Sequence, residues 1–202
     1  MIEFDEIKKY LPKYLSESSE HNLFDNLRDF PQNIDTRLYA SRNLDDKIIY
    51  QGDGVEGFLI INLPDRTTKE AKVVILSNTC DIDISNVRLY SSSICYSPIL
   101  NLDKYVQKLE SKSSASVDRI NQFKESVRKQ RISQIFFLPK GGKLLSDSFV
   151  FFDKINNCDT NSIKRETLKE RRLFTLSNYG FYLFLFKLSI HFTRIREEVD
   201  RI

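Results

Sequence analysis

The sequence predicts an α+β protein in which a small β-barrel is flanked by helices. Short β-branched and aromatic runs, each ending in turn-forming residues, recur between residues 48 and 155 and are typical of strands. Segments near both ends, and one between them, repeat apolar residues at helical spacing. A series of short strands with one helical excursion and a closing helix suits a small barrel. The 202 residues, 41% of them hydrophobic, fit one domain with a small appendage.

Charge and cysteine content limit the classes of function. The net charge of +3 permits an acidic partner without requiring one. The cysteines at positions 80, 95 and 158 form no C-x-x-C pair, and the N-terminal segment has no secretory apolar run. We therefore expect a protein of the reducing cytoplasm. The most apolar segment, residues 181–192, is too short to span a bilayer, so no membrane partner is expected.

Residues 1–45 are predicted to form an N-terminal helical extension. Pro12 interrupts the pattern of its first helix and is expected to kink or restart it. Ser19 is a candidate N-cap for a second helix that ends at Pro31, and polar residues 31–47 indicate a connector. The apolar residues that share one face of the first helix are Ile7, Tyr10, Leu11, Tyr14 and Leu15.

The barrel domain is predicted to cover residues 48–192. Glycines within its first apolar run, residues 48–63, indicate a bent or bulged strand. The segment PDRTTKEA at 64–71 predicts a polar loop. The segment KVVILSN at 72–78 predicts a buried strand, because four apolar residues run without a break and stop at turn formers.

The rest of the domain alternates between strands and helices. A strand is predicted within residues 88–100, with Pro98 marking its end or a sheet edge. Residues 102–131 are predicted as an inserted helical segment, divided by the serine-rich stretch 111–116. The remaining predictions are strands at 135–138 and 148–155, a turn at 139–142, a loop at 156–169, a buried helix at 179–192 and a charged tail at 193–202.

Three blocks of this domain resemble the PemK/MazF toxins. GDGVEGFLIINLPDRTTKEAKVVILSN at 52–78 is similar to the opening strand, long first loop and second strand of that family. CYSPIL at 95–100 resembles its third strand, and DSFVFFDKI at 147–155 resembles the end of its fifth. Residues 171–173 before an apolar helix resemble its C-terminus. The resemblance, over about residues 50–192, implies an SH3-like barrel with helices, and the family's activity is cleavage of single-stranded RNA.

The residues on which that family relies are altered in this chain. The family uses an arginine just before its second strand and a threonine or serine after its third. The matching positions here are Ala71-Lys72 and Ile99-Leu100, so neither group is present in its place. The altered positions favour a barrel retained as a scaffold with changed or lost activity.

Substitutes for the missing groups lie close by in the sequence. Phosphodiester cleavage needs a cation that stabilises the extra charge on phosphorus and a group that transfers a proton. Arg66 or Lys72 could supply the cation, and Ser97 or Asp81 the proton transfer. These residues define the hypothesis of an active endoribonuclease.

Cys80, between Thr79 and Asp81, could instead be a reactive thiol. A nucleophilic cysteine needs a base or cation that lowers its pKa, and both histidines are distant in sequence. The alternative is a small buried residue at a strand end. Asp81 and Asp83, with Asp53 and Glu56, could hold a divalent cation or simply face water in turns. We expect no metal and no cofactor.

A basic helical run is the candidate contact for nucleic acid. Lysine and arginine make the phosphate contacts of such interfaces, but a charge run is also typical of a solvated helix face. The run consists of Arg119, Lys124, Arg128, Lys129 and Arg131.

Three functions therefore compete at the level of sequence. The first is a binding or regulatory protein, acting as a subunit or accessory factor of a stress or phage-defence system beside a protein partner or a second copy. The second is the endoribonuclease with single-stranded RNA as substrate. The third is a thiol enzyme that uses Cys80.

Overall fold

The computed structural model describes residues 17–42 and 44–193, which form a mixed α+β fold, as predicted. The strands of these ranges are β1 (Gly54–Asn62), β2 (Asp65–Ile75), β3 (Ser93–Asn101), β4 (Ile135–Leu138), β5 (Ser148–Phe151), β6 (Asn156–Asp159) and β7 (Arg172–Phe174). The α-helices are α1 (Glu17–Arg28), α2 (Thr79–Ile82), α3 (Leu102–Lys112), α4 (Val117–Arg128), α5 (Leu168–Arg171) and α6 (Asn178–Thr193).

The strands form one antiparallel sheet with the order β4-β5-β3-β2-β1-β7, and β6 also pairs with β3. Strands β5 and β6 follow one another along the same edge of β3. The prediction that Pro98 ends the strand or marks a sheet edge is wrong, because β3 continues to Asn101 with partners on both sides. The break between β5 and β6 lies opposite Pro98, which has no N–H to contribute to a ladder there.

The buried strand predicted at 72–78 is confirmed, and the structure explains its unbroken apolar run. Val73 and Ile75 point into one hydrophobic core, which β1, β2 and β3 share with Leu168 of α5. Val74 and Leu76 point into a second core, which contains side chains of β4, β5, β7 and α6. Because the strand is covered on both faces, both sets of alternating side chains are apolar.

The two inserted helices are also confirmed. Asn101 caps the start of α3 and Ser116 caps the start of α4, each by accepting a hydrogen bond from a backbone N–H of the first turn. The helices pack on β4 and β5 through a third core, which excludes water from that face of the sheet. The fully or largely buried members of this core are Leu102, Val106, Ile120, Val127, Ile135, Phe137 and Phe149.

Several predicted loops are wrong. Residues 65–70 are the first half of β2, paired with β1, and every residue of this half is exposed. Such a strand carries no apolar alternation, so its sequence is typical of a loop. The predicted loop at 156–169 contains β6 and the start of α5, and residues 88–92 precede β3 without joining it. Ser19 lies inside α1 and is not its N-cap, and the kink proposed at Pro12 lies outside the described residues.

The sheet is not a closed barrel, because β4 and β7 at its two ends do not pair. Two other segments fill the gap between them, which we call the seam: residues 38–40 and 141–144. Lys143 N donates to Leu173 O over 2.8 Å, and Ala40 N donates to Thr175 O over 2.8 Å. The described part of the N-terminal extension is thus built into the sheet, and Leu23 of α1 is buried in the second core.

Helix α6 closes the second core. Leu183 and Phe184 are buried there, and a Cβ at Gly180 would lie 2.2 Å from Leu38 O, so only glycine permits this approach. The terminal helix predicted at 179–192 is confirmed, but only one face of it is buried, since Phe186, Ile190 and Phe192 are exposed. Across residues 17–42 and 44–193, no helix combines the length and apolar character needed to cross a membrane.

Candidate functional site

Among the proposed endoribonuclease residues, the structure separates Arg66 from Ser97. Arg66 is exposed in the outer half of β2, eight residues before Val74, which pairs with Ser97. At about 3.3 Å per residue the two positions are about 25 Å apart along the strand. Ser97 is fully buried, and its hydroxyl donates to Phe151 O over 2.6 Å. Lys72 is half-buried, next to the Val73–Pro98 pair, so it lies nearer to Ser97 than Arg66 does.

Cys80 is exposed on the short helix α2, so the alternative that it is a buried apolar residue is wrong. The side chain of Asn78 accepts a hydrogen bond from Cys80 N over 2.9 Å and begins the helix. Arg88 then ties the segment together, donating to Cys80 O at 3.1 Å and pairing with Asp81 at 2.9 Å. His191, in α6, packs beside the ring of Phe152, 5.9 Å between ring centroids, on the second core.

The carboxylates proposed as a cation site are likewise separate. Asp53 is buried at the seam, whereas Asp81 pairs with Arg88. Asp83 accepts from Ser85 N, which lowers the pKa of its carboxyl. Cys95 and Cys158 belong to cores on opposite faces of the sheet. In the ranges that the structure describes, no three His, Cys, Asp or Glu residues are gathered as metal ligands.

The basic run on α4 is matched by nearby acids. Lys124 contacts Asp103 at 2.7 Å, and Lys129 contacts Glu125 at 3.3 Å. Arg128 contacts Asp147 at 3.0 Å and so links α4 to the turn before β5. For Arg119 and Arg131 no ion pair is seen with the described residues. Three of the five cations of this surface are therefore paired with carboxylates, as on a solvated, ion-paired helix.

A concave basic surface occurs at the seam. An open cleft of about 580 Å³ lies between the 36–46 segment, the 142–143 turn and β7. The rings of Tyr39 and Phe174, 4.7 Å apart, line its apolar side. We call it the seam cleft, and its polar lining residues are Thr36, Ser41, Arg42, Asp46, Lys143, Lys169, Arg172 and Thr175. Four cations and one carboxylate line the cleft, and the buried carboxylate of Asp53 pairs with one of these cations, Arg172.

Arg172 is held rigidly at the base of the seam cleft. Its Nε lies 3.2 Å from Asp53 Oδ2, and the two side chains are 10% and 0% exposed. Its guanidinium also donates to Asp45 O, at 3.1 Å, and to Ile48 O. Burial raises the pKa of Asp53 to about 6, and the charge of Arg172 opposes that rise. The pair therefore fixes the 45–53 segment against β7.

The other three cations are more available. Lys143 Nζ donates to the carbonyls of Lys169 and Glu170, at 3.1 and 2.8 Å, which leaves one of its three N–H bonds free. Lys169 pairs with Asp46 at 3.0 Å, but the two side chains are 63% and 40% exposed. Arg42 is exposed and contacts no acid in the described part of the chain.

A fifth notable cation, Lys187 on α6, is a structural group. It is 5% exposed, and its Nζ donates to the backbone and side-chain carbonyls of Gln130, both at 2.9 Å, and to Ile132 O at 3.0 Å. Burial lowers its pKa to about 7. Gln130 adopts a left-handed backbone (φ 55°) and bonds both backbone groups of Phe137, so the network joins α4, β4 and α6.

Sequence analysis missed the seam cleft because its cations are far apart in the chain. Arg42, Lys143 and Lys169 each stand in a different segment, and no motif connects them. Of the four cations, only Arg172 lies in a block that resembles the toxin family, residues 171–173. No family model matches the sequence, and no curated protein matches it significantly. The resemblance to the PemK/MazF toxins therefore stays a prediction.

Proposed function

We propose that the chain is a binding protein, a subunit or accessory factor in which the toxin-type catalytic groups are altered, and not a ribonuclease. The observation that carries this proposal is the state of Ser97. Its hydroxyl is buried and donates to Phe151 O, so it is not offered to a substrate. A proton-transfer group must lie within hydrogen-bond reach of the reacting atoms. The resemblance suggests a stress or phage-defence system as the setting.

Exposed apolar side chains support the idea of a protein partner or a second copy. Contiguous apolar surface on a folded protein marks interaction sites more often than chance. Three groups of large apolar side chains are exposed here, on the β1–β2 hairpin, on the loop before β3 and on α6. Their members are Leu59, Ile61 and Leu63; Ile84, Val87 and Leu89; and Phe186, Ile190 and Phe192.

An RNA cleavage assay separates a binder from an endoribonuclease. Single-stranded RNA is incubated with the wild type and with Arg66→Ala, Lys72→Ala and the control Arg119→Ala, and the products are resolved on a denaturing gel. We expect intact RNA in every lane, because the hydroxyl of Ser97 is bonded to Phe151 O and the carboxylate of Asp81 is paired with Arg88. Cleavage by the wild type that Arg66→Ala or Lys72→Ala abolishes, while Arg119→Ala retains it, would overturn the proposal in favour of the endoribonuclease.

The mass of the native complex isolated from its own cells tests the partner. A stoichiometric protein partner or a second copy of the chain is the expected result. A monomer that carries only RNA would contradict the accessory role.

A further inference from the structure

We propose that the seam cleft is a binding site for the phosphate group of a nucleotide unit, either as a free nucleotide or within single-stranded RNA. The inference deepens the proposed function, because it assigns that binding protein a ligand class and a site. A concave site of about 580 Å³ is within the range of nucleotide-sized ligand sites.

The charges of the cleft favour an anion. Its lining carries four cations and one carboxylate, and concave walls concentrate the resulting positive potential. Arginine, lysine, serine and threonine side chains are the groups that contact phosphate oxygens in nucleic-acid interfaces. Ser41 and Thr36 supply hydroxyls beside those cations.

The cations have different roles in this site. Arg172 is already engaged with Asp53 and two carbonyls, so it is a positioning residue that holds the floor in place. Arg42 makes no ion pair with the described residues, and its guanidinium fork suits two oxygens of one phosphate. Lys143 keeps one N–H bond for a ligand, and its contacts with α5 hold that helix beside the cleft.

Lys169 and Asp46 form an exchangeable pair at the mouth of the cleft. An ion pair as exposed as this one contributes little to the unfolding free energy of the protein. A phosphate can therefore take the ammonium of Lys169 from Asp46 at small cost. Asp46 is then the one repulsive group in the lining, so its removal is expected to strengthen phosphate binding.

The apolar side of the cleft is closed, because Tyr39 and Phe174 are largely buried against each other. On the α4 surface, by comparison, Lys124, Arg128 and Lys129 are paired with carboxylates, and the cations lie along an open helix face. The seam cleft is thus the better phosphate site of the two.

Fluorescence anisotropy with a short fluorescein-labelled oligouridylate tests the inference directly. Arg42→Ala and Lys169→Ala are each expected to weaken binding about tenfold and to reduce the slope of log affinity against log salt by about one. Asp46→Asn is expected to strengthen it severalfold. The control Arg119→Ala removes an equal charge from α4 and is expected to leave affinity within about twofold. Melting temperatures confirm that each variant folds.

Competition identifies the source of the phosphate. Displacement of the oligouridylate by AMP and inorganic phosphate supports a free nucleotide, and displacement only by unlabelled oligouridylate supports single-stranded RNA. If no oligouridylate binds, calorimetry measures whether AMP does. The inference is overturned if neither the oligouridylate nor AMP binds. It is also overturned if the wild type, Arg42→Ala and Lys169→Ala bind with equal affinity.

The same reactions separate this inference from the proposed function. Aliquots run on a denaturing gel report cleavage independently of affinity. Cleavage with Arg42-dependent binding would overturn the accessory role and leave the phosphate site standing. Intact RNA with no binding in the cleft would overturn the phosphate site and leave the accessory role standing.

Discussion

The α4 surface and the seam cleft both collect positive charge, but one is an open helix face and the other is a concave site. On α4, Lys124, Arg128 and Lys129 each have a carboxylate within 3.3 Å. At the seam, a buried acid holds Arg172 in place while Arg42 stays unpaired among the described residues. A run of basic residues in the sequence therefore does not identify an anion site. The positions of the carboxylates around those residues in the folded protein decide which cations can bind an anion.

Removing the ion-paired arginine of each region is expected to give the largest difference in unfolding free energy. Arg172→Ala leaves the carboxylate of Asp53 buried without its cation, which costs about 3 kcal/mol or more of unfolding free energy. Arg128→Ala removes a pair whose side chains are 40% and 29% exposed, so the expected loss is below about 1 kcal/mol. Urea unfolding at neutral pH measures both. Equal losses in the two variants would show that the seam pair is not the structural anchor.

The pH dependence of stability tests the buried cation behind α4. Burial lowers the pKa of Lys187 from its ordinary value of 10.5 to about 7. Between these values the unfolded chain holds a proton that the folded chain has released, so the unfolding free energy should rise with pH in this window. We expect the wild type to gain stability from pH 7 to 10 relative to Lys187→Met. A flat or falling difference would mean that the three carbonyl contacts keep the folded ammonium charged.

Two lysines in ion pairs, the half-buried Lys124 and the exposed Lys169, provide the smallest expected difference in stability. Lys124→Ala and Lys169→Ala each remove one partner of a surface ion pair, so each should lower the unfolding free energy by less than about 0.5 kcal/mol, and less at high salt. Their stabilities should therefore match while their affinities for the oligouridylate differ. Urea unfolding at two salt concentrations checks the first point. A large loss from Lys169→Ala would make it a structural residue and weaken the assignment of the cleft.

The accuracy of the sequence predictions followed the degree of burial. The strand at 72–78 and the helices at 102–131 and 179–192 were predicted because their apolar residues face a core. The first half of β2 is wholly exposed and has no such apolar pattern, so its sequence predicts a loop. The prediction that Pro98 ends its strand is wrong because the break that accommodates it lies between β5 and β6, which are distant from Pro98 in the sequence.

The candidate site depended even more on contacts that span the chain. The sequence marked Ser97 and Cys80 by residue type, but type does not reveal that one hydroxyl is buried against Phe151 O and that the other side chain is exposed. The pair of Asp53 and Arg172 joins residues 119 positions apart. No local pattern announces such a pair.

By itself, the sequence determined the α+β class, the buried central strand and the helices that pack on it, because hydrophobic periodicity records which face of an element meets a core. Only the tertiary structure decided that the sheet stays open and that residues 38–40 and 141–144 fill its seam. It also decided which charges are paired. Coulomb interactions act through space, so the cations that gather at the seam need have no relation along the chain.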